Sequence, residues 1–163
     1  MWRGRYNCLP RHFYKGACPE CPAELGRRRV YRRDHIVKLY KEKVMDHYQN
    51  PRNRGRMEKP DFSTGEFNPS CGDSVGFQGH VTDGKLTKIM FTGEGCAISQ
   101  AAASMLTEYC VGKTLDDILK LDKDFMLKLV GMPLGPMRVR CALLSLQALQ
   151  KGIEDFKKSL NDA

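Results

Sequence analysis

The sequence contains no apolar run that approaches the roughly 18 consecutive residues a helix needs to cross a membrane. It also shows no apolar segment of the kind that directs secretion. Its seven cysteines are an odd number, which argues against a framework of disulfides. We therefore expect a soluble protein of the cytoplasm, with the mitochondrial matrix as the alternative. We also expect its reduced cysteines to serve as metal ligands or nucleophiles.

A positive charge spread over the whole chain is lacking as well. The formal net charge is +8, but residues 1–34 hold eight Arg and one Lys against three acidic residues. Residues 35–163 carry 18 basic and 16 acidic groups. Because the excess lies at one end, and the rest does not interleave aromatic residues with arginine, we expect no nucleic-acid-binding face.

The basic segment 1–34 has no periodic apolar pattern and is interrupted by three prolines. We predict that it is a disordered extension or sequence upstream of the natural start. A basic targeting sequence is an alternative. A small zinc site is another, because Cys8, Cys18 and Cys21 lie here and the last two form a CxxC pair. A lone CxxC is weak support for zinc, which takes four ligands.

Residues 35–163 are predicted to form one folded domain of the α+β class, since a helix is followed by a short antiparallel sheet and then by several helices. Apolar residues alternate with polar or small ones on both sides of a predicted turn, as in a hairpin. The predicted elements are a helix ending before Pro51, a loop over 49–67 with a short strand at its end, a hairpin turning at Asp83 and Gly84, and helices starting near Ile98, Thr114, residue 122 and Leu143.

Three cysteines stand where this arrangement favours reactive thiols. Cys71 lies in a turn before the hairpin, Cys96 follows a Gly-Glu-Gly run and precedes a helix, and Cys141 directly precedes the predicted last helix. A thiol at a helix N-terminus is stabilised as thiolate, the form that binds soft metals. Asp73 can add an oxygen ligand from the Cys71 turn. The alternative is that such cysteines are small buried hydrophobic residues, which is what we expect of Cys110.

Two histidines are predicted to lie outside any site. His47 falls near the end of the first helix and is expected to pack there rather than to bind a metal. His80 alternates outward in the hairpin and is expected to be exposed.

Four motifs in order resemble the U-type iron–sulfur scaffold family, which comprises IscU, SufU and the N-terminal part of NifU. They are residues 41–53 (KEKVMDHYQNPRN), 68–73 (NPSCGD), 93–99 (GEGCAIS) and 138–142 (RVRCA). The resemblance covers about residues 36–160. It implies a compact domain in which helices pack on a three-stranded antiparallel sheet, with the site residues together at one exposed end.

The resemblance also implies roles for the four candidate site residues. Cys71, Asp73, Cys96 and Cys141 would hold a [2Fe–2S] cluster, and Asp73, a harder ligand than a thiolate, would keep it labile. Cys141 would accept persulfide sulfur from a cysteine desulfurase. The cluster would then pass to carriers or apo-protein recipients, so the protein would be a scaffold and not an enzyme. Whether it forms a homo-oligomer is left open.

The sequence departs from the family patterns at three points. IscU has a histidine where Arg140 stands, and arginine cannot become a ligand. The chaperone-recognition motif of IscU is replaced by LGPMR at 134–138, which puts docking of an Hsp70-type chaperone in doubt. The step from Cys96 to Cys141 lacks the insertion usual in SufU, which favours a scaffold.

Two other functions compete with the scaffold. In the first, a zinc-dependent sulfur carrier of the SufU kind holds zinc in the same four residues. In the second, a structural zinc protein binds nucleic acid through its basic tail, a reading that the charge distribution disfavours.

Overall fold

In the computed structural model, residues 37–162 are described. The predictions for residues 1–34, including Cys8, Cys18 and Cys21, lie outside this range. Within it, no helix is both long enough and apolar enough to span a membrane. The elements are α1 (37–49), β1 (Phe62–Asn68), β2 (Asp73–Thr82), β3 (Lys85–Glu94), α2 (Ala97–Cys110), α3 (Leu115–Leu119), α4 (Lys123–Val130) and α5 (Pro136–Asn161).

The three strands form one antiparallel sheet in the order β1-β2-β3. Asp83 (φ 53°) and Gly84 (φ 72°) join β2 to β3. Positive φ at both central residues is typical of the tight turn whose twist matches a hairpin. Val75 and Phe77 on β2 are buried, as is Phe91 on β3 opposite Phe77. The predicted hairpin is confirmed, and β1 is longer than the short strand that was expected.

The helices supply the other half of the core. α5 packs on β1 and β2, while α2 packs on β3 and against α5. The largest fully buried side chains include Phe77, Phe91, Leu106, Leu149 and Ile153. Burying each such side chain contributes about 1.5–3 kcal/mol relative to leaving it in water. The predicted α+β fold, with helices on a three-stranded antiparallel sheet, is confirmed.

Local signals set the ends of the two short helices. The Thr114 hydroxyl oxygen accepts the N–H of Asp117 at 3.2 Å and caps α3, which starts where it was predicted to start. The Asp122 carboxylate accepts the N–H of Phe125 at 2.8 Å and caps α4. Gly131, with φ 71°, ends α4 in the left-handed conformation that glycine adopts readily.

The predicted start of the last helix is wrong. α5 begins at Pro136 and not after Cys141. Proline is accepted at this position because the backbone N–H that it lacks has no hydrogen-bond partner within the first turn of a helix. Cys141 therefore lies in the second turn, with its Sγ 3.5 Å from the carbonyl oxygen of Met137. The helix N-terminus that was expected to favour its thiolate is not beside it. Of the two cysteines predicted to lie at a helix N-terminus, Cys96 does so and caps α2.

A buried polar contact attaches the end of α1 to α2. The side chain of His47 is 4% exposed, and its Nδ1 lies 2.9 Å from the hydroxyl of Ser104. That hydroxyl also accepts the backbone N–H of Arg52 at 2.8 Å. His47 thus packs at the helix end, as predicted. The His80 side chain is 40% exposed and lies 3.3 Å from Asp61, which agrees with its predicted exposure.

Candidate metal centre

The candidate site begins at the turn between β1 and β2. The carbonyl oxygen of Asn68 accepts the N–H of Gly72 at 2.9 Å, and its side-chain oxygen accepts the N–H of Ser70 at 3.0 Å. Gly72 has φ 72°, and a side chain there would meet no atom within 4 Å. The turn therefore places Cys71 at the surface, two residues before Asp73 opens β2.

Asp73 is buried beneath this turn, with 2% of its surface exposed. Its Oδ1 accepts the backbone N–H of Cys96 at 2.9 Å. A Cβ atom on Gly95 would lie 2.4 Å from Oδ1, so this close approach requires glycine. The space beside Gly95 is therefore taken by the Asp73 carboxylate.

Cys96 stands at the junction of β3 and α2, where the backbone N–H groups of the first turn point outward. Its Sγ accepts the N–H of Ser99 at 3.4 Å and lies 3.8 Å from the Ser99 hydroxyl. The residue itself is exposed. The Cys96 sulfur therefore caps the N-terminus of α2, the position that the sequence predicted for it.

Cys141 comes from the second turn of α5 and is 4% exposed. Its Sγ lies 3.6 Å from the Sγ of Cys71, although the two residues are 70 apart in sequence. One ligand atom each from Cys71, Asp73 and Cys141 lies within 4.8 Å of the other two. The fourth residue, Cys96, adjoins this group through its hydrogen bond to Asp73. The fold thus gathers three of the predicted site residues around one metal-sized space and places the fourth beside it.

The close grouping of thiols and carboxylate perturbs two of the groups. Burial alone would raise the pKa of the Asp73 carboxyl, but the hydrogen bond from the Cys96 N–H and the neighbouring thiols of Cys71, Cys141 and Cys96 outweigh it. The pKa therefore lies below its usual value. Burial, followed by the nearby Asp73 carboxylate and Cys71 thiol, raises the pKa of the Cys141 thiol. Without a metal the group holds a carboxylate and a protonated Cys141.

The residues present fit a thiophilic metal. The Oδ2 of Asp73 is buried and has no hydrogen-bond partner among the described residues, so one carboxylate oxygen remains open as a ligand. Three sulfurs and one carboxylate oxygen match tetrahedral zinc, and thiolates are also the usual ligands of iron–sulfur clusters. Arg140 is exposed on α5 and offers positive charge, not a ligand.

Sequence reasoning missed one contributor to the site. Ser99 lies in the third motif, where it was given no role, yet its N–H and hydroxyl both approach the Cys96 sulfur. Its place three residues after a capping residue is the signal that could have identified it.

Comparison with known proteins places these features in a family. Residues 39–163 match the family described as NifU-like N terminal domain. An Archaeoglobus fulgidus protein named iron-sulfur cluster assembly scaffold protein IscU 1 is 37% identical over 118 residues, which cover 72% of this chain and 76% of that protein. The zinc-dependent sulfurtransferase SufU of Bacillus subtilis is 35% identical over 132 residues, covering 71% and 89%.

Solved structures agree in fold. FiSufU, a SUF-system scaffold candidate from the thermophile Fervidobacterium islandicum AW-1, matches with a TM-score of 0.63 and 27% sequence identity. The match covers 69% of this chain and 94% of that one. The N-terminal part of a NifU-like protein from Brucella abortus gives a TM-score of 0.61 at 24% identity, covering 76% and 97%.

Proposed function

The chain belongs to the NifU-like N-terminal domain family, and from that premise we propose that it is a scaffold that assembles a labile [2Fe–2S] cluster and hands it to other proteins. One observation carries the proposal: Cys71, Asp73 and Cys141 present ligand atoms within 4.8 Å of one another, with Cys96 beside them. The open Oδ2 of Asp73 supports it, because a buried carboxylate oxygen without a partner is poorly satisfied until a cation binds.

The four residues have different parts in this function. The thiolates of Cys71, Cys96 and Cys141 hold the cluster, which is cargo and not a permanent cofactor. Asp73 supplies the one oxygen, and a hard carboxylate binds less firmly than a thiolate in a sulfur-rich site. The exposure of Cys71 and Cys96 leaves the cluster at the surface, where a recipient protein can take it.

Sulfur enters through Cys141 in this proposal. The Cys141 thiol loses its proton as its sulfur attacks the outer sulfur of a persulfide carried by a cysteine desulfurase. A new S–S bond forms on Cys141, the S–S bond of the desulfurase persulfide breaks, and the desulfurase cysteine leaves as a thiolate that can take up the proton. Cys141 is only 4% exposed, and the exposed Cys71 lies 3.6 Å from it. The turn that carries Cys71 must therefore move aside for the desulfurase to reach Cys141.

Anaerobic reconstitution with ferrous iron and sulfide tests the scaffold function. The expected result is the visible absorption of a [2Fe–2S] cluster, with iron and sulfide bound in equal amounts. Cys71→Ser, Cys96→Ser and Cys141→Ser should each lower cluster content, while Cys110→Ser, the matched control in the core, should not. A wild-type protein that binds no sulfide with its iron would overturn the proposal.

A second function is supported by the similarity to the Bacillus SufU. In it, the same four residues hold zinc, and the protein carries persulfide sulfur without building a cluster. Four protein ligands suit tetrahedral zinc, which gives this alternative a chemical basis. It predicts one tightly held zinc after purification and a desulfurase that turns over faster with the protein present. Measuring bound zinc, iron and sulfide in the same preparation separates the two functions.

A further inference from the structure

Within the described part of the chain, the buried side-chain nitrogen and oxygen atoms without a hydrogen-bond partner belong to two residues. They are Oδ2 of Asp73 and both amide atoms of Gln100. Both residues bind the main chain of Cys96. Asp73 accepts its N–H at 2.9 Å, and the N–H of Gln100 donates to its carbonyl oxygen at 3.2 Å. The unsatisfied atoms therefore belong to two residues attached to the same metal-site cysteine.

This concentration needs a physical explanation, because nearly all buried polar groups in folded proteins are paired. Gln100 is 4% exposed, so water does not satisfy its amide. Gln150 provides the contrast within the same molecule. Its Nε2 lies 3.4, 3.2 and 2.9 Å from the carbonyl oxygens of Ile118, Leu119 and Leu121. One half-buried glutamine of this protein has its donor satisfied, and the more deeply buried one has neither atom satisfied.

The position of Gln100 on α2 directs it toward the metal site. Side chains on a helix incline toward its N-terminus and lie over the preceding turn. Gln100 is four residues after Cys96, which caps that end of α2. The general direction of helical side chains therefore puts its amide on the Cys96 side of its own turn, where it makes no hydrogen bond to the Cys96 sulfur in this structure.

We propose that Gln100 is a positioning residue of the metal site, whose Nε2–H donates a hydrogen bond to metal-bound sulfur on the Cys96 side. The inference rests on the metal-binding part of the proposed function. Loading the site gives the orphaned amide its partner, so part of the metal's binding free energy comes from outside the four ligands. Hydrogen bonds to ligating sulfur are a known means of tuning such sites, and loss of one outer partner lowers metal affinity by about tenfold or more.

The test compares Gln100→Met with the matched control Gln150→Met, because methionine keeps the length of the side chain and removes both polar atoms. Three quantities are measured: the free energy of unfolding of the metal-free protein, zinc affinity by chelator competition, and the energy of the thiolate-to-cobalt charge-transfer band of the Co²⁺ form. The cobalt band reports on the ligating sulfurs, so a purely structural role would not move it.

For Gln100→Met we expect unchanged or higher stability without metal, since an unpaired buried amide is removed. We also expect zinc affinity about tenfold lower and a shifted cobalt band. Gln150→Met should lower stability and leave affinity and band unchanged. If the Gln100→Met protein does not fold, the same three measurements are made on Gln100→Leu and interpreted in the same way.

Unchanged zinc affinity and an unmoved cobalt band in the Gln100 variants would overturn the inference, whatever their stability. This outcome differs from failure of the scaffold proposal. If the wild-type protein binds zinc and cobalt but builds no cluster, the scaffold function is overturned, and the role of Gln100 can still be tested with these two metals. A wild-type protein that binds neither metal would overturn both.

Discussion

The side chain of Asp73 ties together two parts of the chain, because its Oδ1 accepts the N–H of Cys96, 23 residues further on, at 2.9 Å. Its other oxygen, Oδ2, is buried and has no partner among the described residues. The carboxylate thus uses one oxygen to join the start of β2 to the start of α2 and leaves the other open. In the proposed function this open oxygen is the metal ligand.

Asp73→Ala should slow release of the cluster, because it removes the hard oxygen ligand from an otherwise sulfur-rich site. We expect transfer to an apo-ferredoxin to be about tenfold slower, followed by absorbance after anaerobic mixing. Asp61→Ala is the control, since Asp61 is a carboxylate bound to the Val81 N–H at the sheet's exposed surface.

Asp73→Asn separates the two roles of the carboxylate. The amide oxygen of the asparagine can still accept the Cys96 N–H. A change in transfer rate that the alanine and asparagine variants share therefore reports on loss of the charge and not on loss of the hydrogen bond to Cys96. Faster loss of the cluster from both variants would contradict the assigned role of Asp73.

Gly95→Ala should damage the site while leaving the fold in place. Its Cβ would lie 2.4 Å from Asp73 Oδ1, and its φ of 150° is one that side-chain-bearing residues rarely adopt. We expect zinc affinity to fall by at least about tenfold as Asp73 is displaced. Gly72→Ala is the matched control: its φ of 72° costs about 1–2 kcal/mol, yet the added methyl group meets no atom within 4 Å. Equal zinc affinity in the two variants, by chelator competition, would refute this account of Gly95.

Cys110 should be chemically inert in the folded protein. It is fully buried, and burial raises the pKa of its thiol to about 12, so almost no thiolate exists near neutral pH. Brief treatment of the metal-free protein with iodoacetamide, read by peptide mass spectrometry, should label Cys71 and Cys96 and leave Cys110 unmodified until denaturant is added. Labelling of native Cys110 at a rate close to that of Cys71 would show that its surroundings open readily.

The parts of this fold that sequence could predict are those set by short-range rules. Alternating apolar residues around Asp83 and Gly84 specify a hairpin, because side chains in a strand alternate between its faces. Thr114 identifies a helix start because its hydroxyl can cap the first turn. The start of the last helix was expected near Leu143, whereas α5 begins at Pro136, because proline suits a first helical turn as well as a loop.

The sequence could nominate the residues of the candidate site but not their arrangement in space. Local motifs nominated the cysteines, yet the 3.6 Å approach of Cys71 to Cys141 joins residues 70 apart and depends on how α5 crosses the sheet. The same holds for position 95, where the neighbouring Asp73 side chain, and not the local turn, leaves space for no residue larger than glycine. Such contacts are set by tertiary packing, which spacing along the chain does not encode directly.

The buried His47 should make stability depend on pH near neutrality. Burial lowers the pKa of His47 below its usual value, the nearby charge of Arg52 lowers it further, and Glu108 opposes the shift only partly. An unfolded histidine takes up its proton near pH 6.5, whereas the folded one resists. The unfolded state therefore binds more protons as the pH falls, and the free energy of unfolding should decrease below about pH 6.5 until the lower folded-state pKa is passed.

Urea unfolding of the metal-free protein between about pH 7.5 and about pH 5.5 measures this slope. His47→Gln should be less stable overall, because the contact with Ser104 is altered, but its stability should vary less with pH over this range. A His47→Gln protein with the full wild-type slope would mean that another group takes up the proton on unfolding.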